Sequence, residues 1–389
     1  MRHPSRILSL VGLTVLILAP QVLGQTGEIY RHPHPQENLE ARWAWAQEQA
    51  ERLSTDGGFW IGYSIKHLVR EFTYFISEGS SSFTTTTSRL RIPSGVTLQE
   101  RIYGRKPGQG TSDEKAIKEL ARQALEERDV PYSQQKKVWK DVALIFRFNP
   151  RDSKQPARLH FSSLDVPFET DGLSMFWLDP AEDGESFALV SGLFEKSKDL
   201  KQQKRLLSAV GFHSDSERVV SFLEGVLQSR APEELRARAA SELEDHPVPR
   251  SLDLLRETAF KDRSLDVRKR AVSALEDLEM EGAVDVLIEL AKHGEHPDIR
   301  KRAISTLGDL ASRKAAEALI DIAYNDPEAD IQKRAVYALE DLPDNEGVPY
   351  LIKIAQTHPH PQVRKSAIHC LGDSGDPRAL DALIAILKK

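Results

Sequence analysis

A 32-residue repeat in the second half of the sequence constrains the fold more than any other feature. Five segments align without gaps, each beginning 32 residues after the last: LRARAASELEDH from Leu235, VRKRAVSALEDL from Val267, IRKRAISTLGDL from Ile299, IQKRAVYALEDL from Ile331 and VRKSAIHCLGDS from Val363. A degenerate sixth copy, KRLLSAVGFH, begins at Lys204. Self-similarity at a period of roughly 20 to 50 residues is typical of proteins that stack one unit on the next. The sequence therefore predicts a linear array rather than one large core.

Each repeat carries the spacing of two helices. In the copy that begins at Val267, apolar residues recur at steps of four, four and three, which mark one helical face: Val267, Ala271, Leu275 and Leu278. A second apolar helix follows, such as AVDVLIELAKH from Ala283. An aspartate directly precedes three of the first helices, at Asp266, Asp298 and Asp330. We expect these carboxylates to cap the helix N-termini.

A helix pair of about thirty residues with the pattern V-R-x-x-A-x-x-x-L-G/E-D resembles the HEAT-repeat family, in its short, PBS-lyase-like form. The resemblance covers residues 203–389. It implies an α-solenoid whose usual work is to hold other proteins, and sharing the repeat with bilin lyases does not imply a lyase activity. The predicted fold is mainly α, with a HEAT-like solenoid of about six helix pairs over residues 199–389.

Charged residues recur in the repeats at fixed places. Four arginine and aspartate pairs share the same spacing: Arg236 with Asp245, Arg268 with Asp277, Arg300 with Asp309, and Arg364 with Asp373. Such columns invite a ligand-binding interpretation, but a column present in every unit suits hydrogen bonds that hold neighbouring units together. We expect the second, structural role.

Residues that differ between repeats are better candidates for recognition, and they lie on the second helices. If these helices line the concave face, as the resemblance implies, eight side chains are exposed along it as protein-binding candidates: Asp285, Glu289, Glu317, Asp321, Tyr324, Tyr350, Lys353 and Gln356. The two tyrosines are the expected anchors, because a rigid ring with a polar tip gives contact area at small entropic cost. The alternative is an ordinary solvated face.

The region before the repeats, residues 25–198, predicts a smaller α+β domain to which no family resemblance extends. All five tryptophans lie here, and we interpret Trp60, Trp139 and Trp177 as core residues. The patterns predict helices over 37–55, 111–128 and 185–196, and strands that begin at Phe59 and Glu71 and that cover 142–148, 158–168 and 173–178.

The first 24 residues indicate export. Arg2 and Arg6 precede an apolar run from Ile7 to Ala19, which is the pattern of a secretory signal peptide cleaved near Gly24–Gln25. The run is too short to span a bilayer, so we expect a periplasmic or secreted protein without a membrane span in the mature chain. Its removal changes the net charge from −6 to −8, which argues against a nucleic-acid partner.

The sequence contains only weak matches to phosphate-binding and metal-binding motifs. The loop Gly104–Ser112 lacks the lysine of a phosphate-binding loop. The motif HPHPQ occurs twice, so His32 with His34, and His358 with His360, could share a metal ion, but neither pair has a third ligand nearby in the sequence. No HExxH, GxSxG or CxxC motif is present, and nothing in the first domain pairs a Ser or Thr nucleophile with a recognisable His base.

These observations predict an exported, non-enzymatic scaffold that binds a protein partner, with no catalytic, cofactor or metal residues assigned. The alternative is that the first domain is an enzyme or small-ligand receptor for which the solenoid is a platform. The single cysteine, Cys370, is expected to be a small buried residue in the last repeat rather than a reactive thiol.

Overall fold

The computed structural model describes residues 27–53, 57–70, 97–104, 137–150, 152–164, 168–310 and 312–388. The chain divides into two compact units, with the boundary in the sequence between Ser214 and Asp215. The predicted export signal, the strand from Glu71, the helix over 111–128 and most of the glycine loop lie outside the described residues. No helix in the described ranges is long and apolar enough to cross a membrane.

The first unit contains a mixed five-stranded sheet of order β1-β5-β2-β3-β4. Its strands are β1 Ile29–Arg31, β2 Phe59–Arg70, β3 Lys137–Asn149, β4 Asp152–Ser163 and β5 Met175–Pro180. Strand β5 pairs in parallel with β1 and β2, whereas β2–β3 and β3–β4 are antiparallel. Strand β1 was not predicted, because three residues are too few to show an alternating pattern.

Within the described ranges, four helices accompany the sheet: α1 Leu39–Arg52, α2 Leu98–Tyr103, α3 Asp183–Lys196 and α4 Leu200–Gly211. Helix α2 was not predicted, although a capping box starts it: Thr97 Oγ1 accepts from the Glu100 N–H at 3.2 Å. Helix α4 contains the degenerate copy that begins at Lys204, and it packs on α3 and β4 inside the first unit. The predicted α+β domain is confirmed.

Both faces of the sheet are buried, which explains the nearly unbroken apolar runs in β2 and β3. On one face, Trp60 and Trp177 pack with Leu98 of α2. On the other, the Trp43 ring of α1 meets Phe146 edge-on, with ring centroids 5.1 Å apart. Trp139, by contrast, is 58% exposed, so its predicted place in the core is wrong.

The second unit is a stack of helices. After α5 Ser216–Gln228 come five helix pairs, each made of a first and a second helix: α6 Glu233–Glu242 with α7 Pro249–Lys261, α8 Leu265–Asp277 with α9 Ala283–His293, α10 Pro297–Asp309 with α11 Arg313–Asn325, α12 Ala329–Glu340 with α13 Val348–Thr357, and α14 Pro361–Asp373 with α15 Pro377–Leu387. The predicted solenoid of helix pairs is confirmed over this unit.

Successive first helices lie closer together than successive second helices. At Gly308 of α10, a Cβ atom would stand 2.7 Å from the Ala338 carbonyl oxygen of α12, so only glycine permits this approach. The first helices therefore form the more tightly packed layer of the stack.

The aspartates expected to cap the first helices are not the caps, because each is the second residue of its helix. Ser264 caps α8 by accepting from the Val267 N–H, and His296 caps α10 through Nδ1, which accepts from the Asp298 N–H at 3.1 Å. Asp298 instead pairs with Lys269 of the preceding repeat, Nζ to Oδ2 2.9 Å. A carboxylate in the first turn still suits the positive end of the helix dipole.

Candidate binding surfaces

The eight predicted contact residues separate into two groups. The four acidic ones are already paired with bases. Asp285 pairs with Lys314, Glu289 with Arg256 at 2.5 Å, Asp321 with Lys292 at 2.5 Å and Glu317 with Arg313 at 2.9 Å. Three of these pairs join consecutive second helices, so their first task is to hold repeats together.

The pKa values agree with this role. The hydrogen bond from Arg256 lowers the pKa of Glu289, and the hydrogen bond from Lys292 lowers that of Asp321. A carboxylate stabilised in this way by its own chain has less to gain from a partner's base.

The other four candidates form one surface across α11 and α13, which we call the tyrosine surface: Tyr324, Tyr350, Lys353 and Gln356. Lys353 Nζ lies 6.0 Å from the Tyr324 ring centroid, within range of a cation–π contact. The Tyr324 hydroxyl is 3.4 Å from Thr357 Oγ1. Tyr350 is 38% exposed, and Lys353 and Gln356 are exposed beside it at three-residue steps along α13. Lys353 therefore links the Tyr324 ring on α11 to the exposed side of α13 that carries Tyr350 and Gln356.

The arginine column joins repeats, since Arg300 Nε donates to the Ala291 carbonyl oxygen of the preceding helix pair at 3.0 Å, but its acidic partners are not the predicted ones. Arg236 donates to both carboxylate oxygens of Asp262 at 2.9 Å, and Arg300 pairs with Asp326 and Glu328. These acids lie in the turn after a second helix. The recorded acidic partners of Arg236 and Arg300 therefore lie outside the predicted aspartate column.

Acidic residues form a strip near the C-terminal ends of the first helices: Glu244, Asp245, Glu276, Asp277, Asp309 and Asp341. Burial, helped by Asp245 and Asp277, raises the pKa of Glu244 to about 8. Burial and Asp309 also raise the pKa values of Glu276 and Asp341. Negative charge at a helix C-terminus opposes the dipole, so this strip costs stability. The recurring aspartates are the sequence pattern from which this acidic strip could have been predicted.

Both HPHPQ motifs build turns. In each motif Nδ1 of the first histidine, His32 or His358, accepts from the backbone N–H of the second at 3.1 Å. His358 Nε2 also contacts the Ala323 carbonyl oxygen at 2.9 Å, so both of its ring nitrogens are occupied. Burial lowers the pKa of His32. Among the described residues no group of three or more His, Cys, Asp or Glu side chains is arranged to hold a metal ion.

A serine–histidine pair that the sequence did not reveal lies inside the first unit. His213 Nε2 is 2.8 Å from Ser186 Oγ, which is 2.9 Å from the Tyr63 hydroxyl. The chain separates Ser186 and His213 by 27 residues and no motif surrounds either one. All three side chains are at most 1% exposed, and burial raises the pKa of Tyr63. A substrate cannot reach this serine, so the trio is a buried structural network.

A second polar cluster lies where the parallel strands β1 and β5 end. Asp179, at a bulge of β5, has a φ of 59° and is buried. Arg31 Nη2 donates to its Oδ1 at 2.6 Å, and the same guanidinium lies over the Tyr103 ring, 4.8 Å from the centroid. Burial, with a smaller effect of Asp179, raises the pKa of Tyr103. A strained backbone beside a bulge is a feature often found near functional sites.

Comparison with known proteins identifies the repeats. A family model for HEAT repeats matches residues 220–308, 252–340 and 316–389. No curated protein matches the chain. Similar solved structures include human deoxyhypusine hydroxylase in complex with glycerol, 23% identical, covering 52% of this chain and 77% of that chain with a TM-score of 0.24. The complex of CpcE and CpcF of phycocyanin lyase from Nostoc sp. PCC7120 is 19% identical, covering 51% and 79%, with a TM-score of 0.30.

These structural similarities are too low to indicate an activity. The predicted family is confirmed, although the matched residues begin at 220 rather than 203. HEAT repeats commonly mediate protein interactions, and the described helices of this unit form a repeat scaffold. Residues 220–389 of the chain therefore consist of HEAT repeats.

Proposed function

We propose that this protein is an exported, non-enzymatic scaffold that binds a protein partner through the tyrosine surface of its HEAT repeats. The observation that carries the proposal is Tyr350, which is 38% exposed on α13, three residues before the Lys353 whose ammonium approaches the Tyr324 ring. Tyrosine is enriched among residues that dominate binding energies, because it buries a large ring at small entropic cost.

The charges around the tyrosine surface support a protein as the ligand. The acidic candidates nearby are neutralised by Lys292, Lys314 and Arg256, so the surface offers rings, an amide and the one ammonium of Lys353 rather than a field of one sign. Mixed polar and aromatic surfaces of this kind suit protein partners. A nucleic acid would require a basic stripe, and the mature chain has a net charge of −8.

Two further observations support the non-enzymatic and exported parts of the proposal. The Ser186–His213 pair is buried without access for a substrate, which argues against hydrolysis there. Arg2 and Arg6 before the apolar run favour export.

The test is affinity capture from the exported fraction with the wild-type protein and two single variants. Tyr350→Ala should weaken retention of the captured partner by at least about tenfold, the loss expected of an anchor residue. Tyr337→Ala is the matched control, because Tyr337 has the same 38% exposure but lies on a first helix, α12. Equal retention by all three proteins would contradict the proposal.

A second candidate function rests on the polar cluster of Arg31, Tyr103 and Asp179. Ligands of open sheets bind beyond the carboxyl ends of parallel strands, which is where this cluster lies. On this alternative the first unit is a small-ligand receptor or enzyme. A panel of charged metabolites should then raise the melting temperature of the wild type but not of Arg31→Gln. No shift with any compound would remove this candidate.

A further inference from the structure

The last helix pair, α14–α15, exposes apolar positions that an inner pair buries. The segment ALDALIAILKK from Ala379 aligns with AVDVLIELAKH from Ala283, three repeats earlier. Ile368 and Leu387 are 37% and 86% exposed, whereas their counterparts Val272 and Ala291 are 0% exposed. Leu380 and Ile384 are also exposed. This surface therefore has the composition of a stacking interface and not the polar outer face of a capping repeat.

Two charged residues on α15 also differ from their counterparts on the inner helix α9. Their counterparts on α9 are Asp285 and Lys292, which pair with Lys314 and with Asp321 of the following second helix. The residues in those places on α15 are Asp381 and Lys388. Both are exposed, and neither has an ion pair in the part of the chain that the structure describes. They are the free halves of two inter-repeat pairs, one acidic and one basic.

We propose that two copies of this chain associate through a terminal face made of Ile368, Leu380, Asp381, Ile384, Leu387 and Lys388. The two α15 helices pack antiparallel about a twofold axis beside Ile384. An isologous interface of this kind places the same patch on both copies and closes at two subunits. It covers the exposed apolar positions and satisfies both charges at once.

Helix geometry makes the face self-complementary. With Ile384 as reference, Asp381 and Lys388 lie about 60° and 40° to one side of the helix, and the two leucines lie at about the same angles on the other. Asp381 is about 4.5 Å before Ile384 along the axis and Lys388 about 6 Å after it. The twofold axis reverses the second helix, so Asp381 of one copy meets Lys388 of the other at nearly the same level.

This charge pattern favours a second copy over an unrelated partner. A surface of one sign would satisfy only one of the two residues, whereas the face itself carries one acid and one base in positions that match after rotation. The tyrosine surface on α11 and α13 is not used, so self-association and partner binding are tested separately.

The experiment is sedimentation equilibrium of the purified protein and four variants. The wild type should dimerise, and Leu387→Asp should be monomeric. Asp381→Lys and Lys388→Asp should each weaken self-association by at least about tenfold, because each brings like charges together twice. Lys261→Asp, on exposed α7 surface, should dimerise like the wild type.

The decisive sample mixes the two charge variants. A copy with two lysines and a copy with two aspartates are complementary, so the mixture should form a heterodimer with an affinity close to that of the wild type. A wild type that stays monomeric, charge variants that dimerise alone as well as the wild type does, or a Leu387→Asp variant that remains dimeric would each overturn the proposal. Far-UV circular dichroism should be unchanged throughout, since the substituted side chains are exposed.

Discussion

The two units differ in how their buried polar groups are paired. In the first unit, one network joins Tyr63, Ser186 and His213, which come from β2, α3 and the end of α4. In the second unit, a buried arginine–aspartate pair occurs at equivalent positions two repeats apart, as Arg236 with Asp262 and as Arg300 with Asp326. A network made once depends on distant parts of the chain, whereas a repeated contact depends only on neighbours. The units should therefore respond differently to mutation.

The largest expected effect is in the sheet core. Phe146→Ala should destabilise the first unit by about 3–5 kcal/mol, because it leaves a cavity beneath Trp43. All five tryptophans lie in residues 43–177, so tryptophan emission reports on this unit alone. Chemical denaturation followed by emission should shift strongly, while the helical signal of the repeats remains.

The matched variant for that experiment is Leu319→Ala on α11, where the leucine is fully buried. It should shift the unfolding followed by far-UV circular dichroism and leave the midpoint of tryptophan emission unchanged. If both signals moved together in both variants, the two units would unfold as one and the comparison would fail.

The next largest loss of stability is expected in the arginine column. Arg300→Ala removes a buried guanidinium and leaves Asp326, also buried, without its partner. We expect a loss of about 3 kcal/mol in the free energy of unfolding of the repeats. Arg313→Ala, which breaks an exposed pair with Glu317, should cost less than about 0.5 kcal/mol. Denaturant titrations followed by circular dichroism measure both, and equal losses would show that the arginine column does not hold the repeats together.

A smaller loss of stability is expected in the buried network of Tyr63, Ser186 and His213. Ser186→Ala leaves the Tyr63 hydroxyl and His213 Nε2 without the hydroxyl between them, and it should cost about 1–3 kcal/mol. Ser191→Ala on the same helix is the control, since Ser191 Oγ only donates to carbonyls of its own helix. Emission-detected unfolding should separate the two. A Ser186→Ala protein as stable as the control would show that the network is dispensable.

The smallest effect concerns the acidic strip. The pKa of Glu244 is about 8 in the folded chain, above its ordinary value of 4.5, so its carboxylate destabilises the repeats at alkaline pH. As the pH falls from about 8 toward about 4.5, protonation should recover that stability. Glu244→Gln should therefore stabilise the protein by about 1 kcal/mol at about pH 8.5 and have little effect at about pH 5.

Unfolding midpoints at the two pH values measure this difference. Glu317→Gln, on the exposed side of α11, is the control variant at both pH values. A Glu244→Gln variant that is destabilised at alkaline pH would mean that the carboxylate is held by a favourable contact instead.

How far the sequence could predict the fold depended on the distance between interacting residues. The repeat from Leu235 to Leu371 was predictable because each helix shows its apolar face within a few turns and because the pattern recurs. In the first unit, α1 and α3 were found by the same periodicity. Strand β1 and helix α2 were not, since three and six residues are too short to show a period.

The candidate site was predicted only in part. Four of the eight residues lie on α11 and α13 as the tyrosine surface, but the sequence could not show that Asp285, Glu289 and Asp321 have bases from neighbouring repeats as partners. Those bases are 29 or 33 residues away, so the pairing depends on how the helices stack. The same reason explains why the acidic partners of Arg300 were not predicted.

The sequence by itself determined the repeated helix pairs, their buried faces and the HEAT family, because local periodicity decides which side of a helix must be covered. Only the tertiary structure decided which charged and polar groups meet. It joined Ser186 to His213, turned Arg300 toward Asp326 and left Asp381 and Lys388 exposed on the terminal face. The physical reason is that an apolar surface can be buried against any apolar neighbour, whereas a hydrogen bond or ion pair requires two particular atoms within about 3 Å of each other.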